Sequence, residues 1–243
     1  MTIELRHPHP GEEAALRELF TEAFGDEGFT DLFFAKGYSP SRCLGAFDGE
    51  LLAALHWFDC TLDEEKAAYV YGIASFKAQR GRGVGSELIR GALEKLQELG
   101  YRHILLVPAE ESLFGYYERF GFRAVSTIRE MEIGAGETLP IRRLTVSEYA
   151  AVRRILLPER GLLQEGPCLD LLSGYADFYT AGGAVAAVTG DMVWELLGDE
   201  AAAPGLIAAL GLDKATVRMP GPGRPFAMAL GGAGECYLGL ALD

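Results

Sequence analysis

The feature that most constrains this chain is a glycine-rich loop set between an apolar strand and a long amphipathic helix. Tyr69-Val70-Tyr71-Gly72-Ile73-Ala74-Ser75-Phe76 reads as the strand, and Lys77-Ala78-Gln79 leads into Arg80-Gly81-Arg82-Gly83-Val84-Gly85. Beyond the loop, Val84, Leu88, Ile89, Ala92, Leu93, Leu96 and Leu99 fall at helical spacing, and Gly100 is placed to end the helix. Three glycines in five positions at such a junction let backbone N–H groups converge on one point. The helix N-terminus behind them adds about half a positive charge. Arg80 and Arg82 complete an anion site suited to a pyrophosphate. The loop is not GxxxxGK followed by Ser or Thr, since no lysine follows Gly85. Nor is it GxGxxG, since it reads GxGxG with no acidic ribose ligand clearly placed beyond it. Taken alone, it is also what a tight turn packing a helix on a strand would show.

The surrounding pattern builds a mixed α/β domain around this loop. Ile3-Glu4-Leu5 reads as a short strand, and Glu12 to Phe24 as a helix with Ala15, Leu16, Leu19, Phe20 and Phe24 in period. Leu44 to Phe47 and Leu51 to Phe58 are strand-like, joined by the hairpin signal Asp48-Gly49. Ala68 to Phe76 follows the charged turn Asp63-Glu64-Glu65-Lys66 as a third strand. Ile104-Leu105-Leu106-Val107 has the wholly apolar character of a buried parallel strand, and Ser112 to Phe120 that of a short aromatic-rich helix stopped by Gly121. The expected fold class is therefore α/β, in the α+β sense of a mixed sheet, with a first domain at residues 1–133.

Gly134-Ala135-Gly136 reads as a linker, and residues 138–243 as a second, smaller α/β domain. Ser147 is placed to cap a helix running through Leu157, and Ala184 to Val188 and Met192 to Leu197 flank a Thr189-Gly190-Asp191 turn. A helix near Leu206 to Leu210 precedes strands at Ala215 to Met219, Phe226 to Leu230 and Tyr237 to Leu242. The order of elements echoes the first domain, as a degenerate half would. Gly221-Pro222-Gly223 and Gly231-Gly232-Ala233-Gly234 are not followed by apolar-periodic helices, so no second phosphate site is expected.

Charge narrows the partners. With 35 acidic against 22 basic residues and a net charge of −13, the chain lacks the basic footprint that nucleic acid demands. The excess suits a cationic substrate, and equally a merely solvated surface. No apolar run approaches the ~18 residues of a membrane span. The start, Met1-Thr2-Ile3-Glu4-Leu5-Arg6, has no signal-peptide core, so a cytoplasmic location is expected. Cys43, Cys60, Cys168 and Cys236 form no CxxC pair, and His7, His9, His56 and His103 no HExxH grouping, so no metal site is expected.

The loop and the downstream run Tyr117-Glu118-Arg119-Phe120-Gly121-Phe122 together resemble the GNAT superfamily of N-acetyltransferases. Arg80, Gly83 and Gly85 match its signature of Arg or Gln, two residues, Gly, one residue, then Gly or Ala; the later run matches its YExxGF element. The motifs lie one helix and one strand apart, as the family requires, and the resemblance covers roughly residues 1–130. It implies a mostly antiparallel sheet splayed open between the Ala68–Phe76 and Ile104–Val107 strands. It implies acetyl-CoA as cosubstrate, with Ile73 and Ser75, and Ala74 between them, offering backbone groups to the pantetheine arm and the thioester. The pyrophosphate would sit on the amides of Arg80, Gly81, Arg82, Gly83, Val84 and Gly85, with Ser86 just inside the helix.

Acetyl transfer to an amine needs two proton events. A lysine-like amine of pKa near 10.4 must be neutral to attack, which costs roughly 4–5 kcal/mol at pH 7. The departing thiolate benefits from a donor, and the resemblance makes Tyr117 that acid. Its other reading is packing with Phe114, Tyr116 and Phe120. Seven residues before Tyr117 the family often carries an asparagine; here Glu110 stands, beside Glu111. Glu110 is a general base, a holder of the cationic amine, or a solvated cap for the helix near Ser112. His56, Asp59 and Tyr71, on strands lining the acceptor side, are further base candidates, and a water relay would need none of them. The expected activity is acetyl transfer to the amine of a small molecule or peptide; the competing reading is a non-catalytic CoA-binding or interaction module. The second domain would wall the acceptor cleft or mediate homodimer contacts, with Trp194, Phe226 and Tyr237 as core anchors.

Overall fold

A computed structural model describes residues 3–231 and 233–242, so Met1, Thr2, Asp243 and Gly232 of the second glycine stretch lie outside the described residues. The chain divides into two units, Met1–Phe122 and Arg123–Asp243. In the first, β1 (Glu4–Arg6) is followed by α1 (Glu13–Phe24) and α2 (Glu27–Lys36). α2 has no clean apolar period; Asp26 starts it by accepting from the Phe29 N–H at 2.9 Å, and Phe33 and Phe34 bury. β2 (Cys43–Asp48) and β3 (Glu50–Leu62) make the hairpin around Gly49, and β4 (Glu65–Ser75) returns through Asp63 and Glu64, both left-handed. α3 (Val84–Glu98), β5 (His103–Leu106) and α4 (Phe114–Glu118) follow. A 3-10 turn at Glu111–Leu113 takes the place of the first turn expected of a helix from Ser112. β6 (Phe122–Ala124) carries the chain into the second unit.

β1 to β4 pair antiparallel in sequence order, and β4 pairs β5 in parallel across the α3 crossover. β3 is buried at every position from Leu51 to Phe58, so both its faces are covered, and α1 and α3 both pack on it. The β4–β5 register runs from Ala67↔His103 to Val70↔Leu106, whereas β4 continues to Ser75. Tyr71 to Ser75 thus run on past the last paired residue, which is the splay the sequence implied. Within it Gly72 takes φ 60°, and a Cβ there would come within 3.0 Å of Phe20 and 3.3 Å of His56. Only glycine fits.

The second unit contains β7 (Thr127–Gly134), β8 (Ile141–Leu144), α5 (Val146–Leu156), β9 (Leu163–Gln164), α6 (Pro167–Leu172) and β10 (Asp177–Ala181). It continues through β11 (Ala184–Thr189), β12 (Met192–Gly198), α7 (Ala203–Ala209), β13 (Lys214–Pro220), β14 (Arg224–Pro225) and β15 (Met228–Leu230). Its seven-stranded sheet has the order β14-β7-β13-β12-β11-β10-β8. β8, β10, β11 and β12 pair antiparallel, and β12 pairs β13 in parallel at Met192↔Thr216 and Val193↔Val217. This is the pairing sequence of β1 to β5, with α5 and α6 in the place of α1 and α2, and α7 in the place of α3.

Several details differ from expectation. The division falls at Phe122/Arg123, ahead of the expected 133/138 boundary; Gly134-Ala135-Gly136 lies inside the second unit, where Gly134 ends β7. The second unit therefore includes β7 and is nearly as long as the first. The α5 cap is Thr145, not Ser147: its hydroxyl accepts from the Glu148 N–H while Glu148 reaches back to the Thr145 N–H at 2.9 Å. Among the described residues, Tyr237 to Leu242 form no strand, only a single bridge from Tyr237 to Gly161. Tyr237 is anchored on buried Glu195, which also accepts from Tyr149 and, in a bidentate pair at 2.6 and 3.0 Å, from Arg153. Phe226 and Tyr237 are buried as expected, and Trp194 is half-buried with the Arg218 guanidinium over its ring.

Candidate active site

The loop after β4 is built from its backbone outward. A 3-10 turn, Lys77–Gln79, is tied to α1 by the Lys77 N–H donating to Glu22 at 2.6 Å. Gly81 and Gly83 take φ 75° and 86°, and a Cβ at either would meet nothing within 4 Å. These glycines serve a left-handed backbone beneath open space, not close packing. Gly83 is the N-cap of the 15-residue α3 and supplies no side-chain cap. The first-turn amides of α3 have no intrahelical acceptors, so they are left for a ligand.

A cavity of about 360 Å³ borders these amides. Of the predicted cofactor residues, Ser75, Arg80, Gly81, Gly83, Val84, Gly85 and Ser86 line it, and Ile73, Ala74 and Arg82 do not. Arg82 instead donates to Gln79 at 2.8 Å. Uncapped amides, open glycine backbone and a cationic side chain together fit a diphosphate. Gln79 and Tyr116 also line the cavity. The adjacent tyrosines Tyr116 and Tyr117 were the sequence signal available for the latter, since a helix points neighbours to different sides.

Tyr117 is buried, with its ring T-shaped against Tyr116 at 5.3 Å and Phe122 at 6.0 Å. Burial, helped by Tyr116, pushes its phenol up to about 12, so it keeps its proton through neutral pH. It does not line the cavity beside α3. Glu110 is exposed, accepts from the Ser112 hydroxyl at 3.2 Å and also lies outside the cavity lining.

The other base candidates separate clearly. His56 is buried among Phe20, Phe33 and Tyr38 at ring distances of 6.1, 4.9 and 5.7 Å. Burial pushes its imidazole down to about 3, so it is neutral at working pH and a poor proton acceptor. Asp59 is held by Arg42 at 2.5 Å and by the Tyr101 hydroxyl. Burial would raise its pKa, but these hydrogen bonds outweigh it and the carboxyl ends below its usual range. Asp59 also pairs with Ala68, which at the strand rise lies roughly 20 Å along β4 from Ser75. Tyr71 is half-buried against Phe33 and Phe58.

Known proteins share this architecture. The family model described as "Acetyltransferase (GNAT) domain" matches residues 4–125. A mycothiol acetyltransferase of Corynebacterium glutamicum is 36% identical over 90 residues, covering 36% of this chain and 30% of the relative. Another, of Corynebacterium efficiens, is 32% identical over 123 residues, covering 49% and 37%. The matched stretch thus spans about a third of these relatives' own length. The crystal structure of a GCN5-related N-acetyltransferase from Anabaena variabilis aligns with a TM-score of 0.75 at 12% identity, covering 94% of this chain and 72% of that one. That likeness is one of fold and takes in both units. The splayed sheet, the uncapped glycine loop and the matched domain agree: the chain belongs to the GNAT acetyltransferase family.

Proposed function

We propose that this protein is an N-acetyltransferase that binds acetyl-CoA on the Arg80–Gly85 loop and acetylates the amine of a small molecule or peptide. The observation that carries this is the N-terminus of α3, uncapped and opened by left-handed Gly81 and Gly83 beside a cavity of about 360 Å³. The Corynebacterium relatives are named mycothiol acetyltransferases, which supports acetyl transfer. The loop amides and Arg80 hold the diphosphate, and the end of β4 beyond its pairing with β5, at Ile73, Ala74 and Ser75, offers backbone groups to the pantetheine arm. The bound cosubstrate supplies an activated acyl thioester. The Tyr117 phenol holds a proton at neutral pH and gives it to the leaving sulfur. Glu110, the carboxylate left among the candidates, takes the amine proton, directly or through water. Among the described residues no helix is long and apolar enough to cross a membrane.

One cofactor per chain is expected. Where the first unit enters its crossover helix through Arg80-Gly81-Arg82-Gly83, the second enters α7 through Asp199-Glu200-Ala201-Ala202. The Asp199 carboxylate already caps this turn, accepting from the Ala201 N–H at 3.0 Å. Carboxylates in the place of arginines repel a diphosphate. Calorimetric titration of the full chain with CoA should fit a single site; a second site of comparable affinity would show that this half has been misassigned.

A further inference from the structure

We propose that Tyr116 is a diphosphate-binding residue of this site, its phenol donating to an oxygen of the anion held on the first turn of α3. This rests on the acetyl-CoA site proposed above. Every other residue lining the cavity comes from the segment Ser75 to Ser86; Tyr116 alone reaches in from α4, among the described residues. Its hydroxyl lies 3.4 Å from the Ser86 Oγ and 3.7 Å from where a Cβ on Gly85 would stand. The Ser75 Oγ approaches that same point to 3.2 Å. The Ser75 and Tyr116 hydroxyls therefore both approach Gly85, and the Tyr116 hydroxyl also approaches Ser86 on the first turn of α3.

The Tyr116–Ser86 contact is at the long limit for two hydroxyls, whose hydrogen bonds centre on about 2.7–2.8 Å. A phenol so weakly engaged keeps its proton available for a better acceptor, and an anionic phosphate oxygen is one. The ring is also fixed in advance. It stands T-shaped on Phe120 at 5.2 Å and on Tyr117 at 5.3 Å, with the Arg119 guanidinium over it at 4.6 Å. A hydroxyl held this way loses little freedom on binding. The same ring contact ties anion binding to the placement of Tyr117.

The test is calorimetry with two ligands: CoA, and 3′-phosphoadenosine 5′-diphosphate, which has the diphosphate and lacks the pantetheine arm. Tyr116→Phe should weaken both by the same factor, about 10-fold or more, as expected for loss of one hydrogen bond to a charged group. Ser86→Ala, which leaves the α4 packing untouched, should weaken both as well. Loss confined to CoA would move the phenol to the pantetheine arm and overturn the assignment. Unchanged affinity for both ligands in Tyr116→Phe would overturn it outright. Wild-type protein that bound neither ligand would instead remove the cofactor site on which the proposal stands.

Discussion

Gly83→Glu is expected to abolish measurable acetyl-CoA binding while the fold survives. A Cβ at Gly83 meets nothing within 4 Å, so the substitution creates no clash. Its cost is the left-handed backbone at φ 86°, about 1–2 kcal/mol for an L-residue, against the ~5–15 kcal/mol stability of a typical protein. The new carboxylate sits at the helix N-terminus, where it competes for the amides that hold the diphosphate and repels its charge. Charge-assisted hydrogen bonds contribute about 1.5–3 kcal/mol each, so losing two lowers affinity by roughly 100-fold or more. Calorimetry reads the affinity and circular dichroism the fold. Unchanged affinity would mean that the phosphate sits elsewhere.

Tyr117→Phe is expected to lower kcat by about 10²–10⁴-fold, the usual range for general acid catalysis, with little change in cofactor affinity. Phe keeps the ring contacts to Tyr116 and Phe122 and removes only the hydroxyl. An acid that acts in the transition state appears in kcat and not in binding. Burial raises the phenol to about 12, so its deprotonation adds no falling limb to the rate profile near neutral pH. A limb there belongs to the amine or its base. Wild-type turnover by the variant on a good acceptor would make Tyr117 a packing residue.

The first unit was legible in the sequence wherever chemistry and periodicity coincided. The Val84–Leu99 face, the Asp48-Gly49 turn and the apolar Ile104–Val107 run each carry a strong local signal and appear as α3, the β2–β3 hairpin and β5. α2 is harder to see, because Gly28 and Thr30 interrupt its period and its marker is a single capping residue, Asp26. β7 is masked by its charges: Arg129, Glu130 and Glu132 find partners only once the chain is folded, in Glu200, Arg218 and Lys214. Gly134-Ala135-Gly136 carries a generic turn signal that does not distinguish a strand end from a domain linker.

At the site, the loop glycines were readable because their backbone role is written in residue type. The exclusion of His56 and Asp59 was not, since it depends on burial among Phe20, Phe33 and Tyr38 and on the register that pairs Asp59 with Ala68. Tyr116 needed the three-dimensional approach of α4 to α3. Likewise, the match between the two units lies in pairing order, not in shared motifs, and the basic glycine loop of one is acidic in the other.

Thiol release from acetyl-CoA, measured with the full chain and a panel of primary amines, reads acetyl transfer itself. At least one amine should release thiol well above the hydrolysis background, with one acetylated amine formed per thiol. That release should disappear in Gly83→Glu and fall steeply in Tyr117→Phe. Binding of one acetyl-CoA per chain with no amine releasing thiol would contradict acetyl transfer, and would leave this chain a CoA-binding module without catalysis.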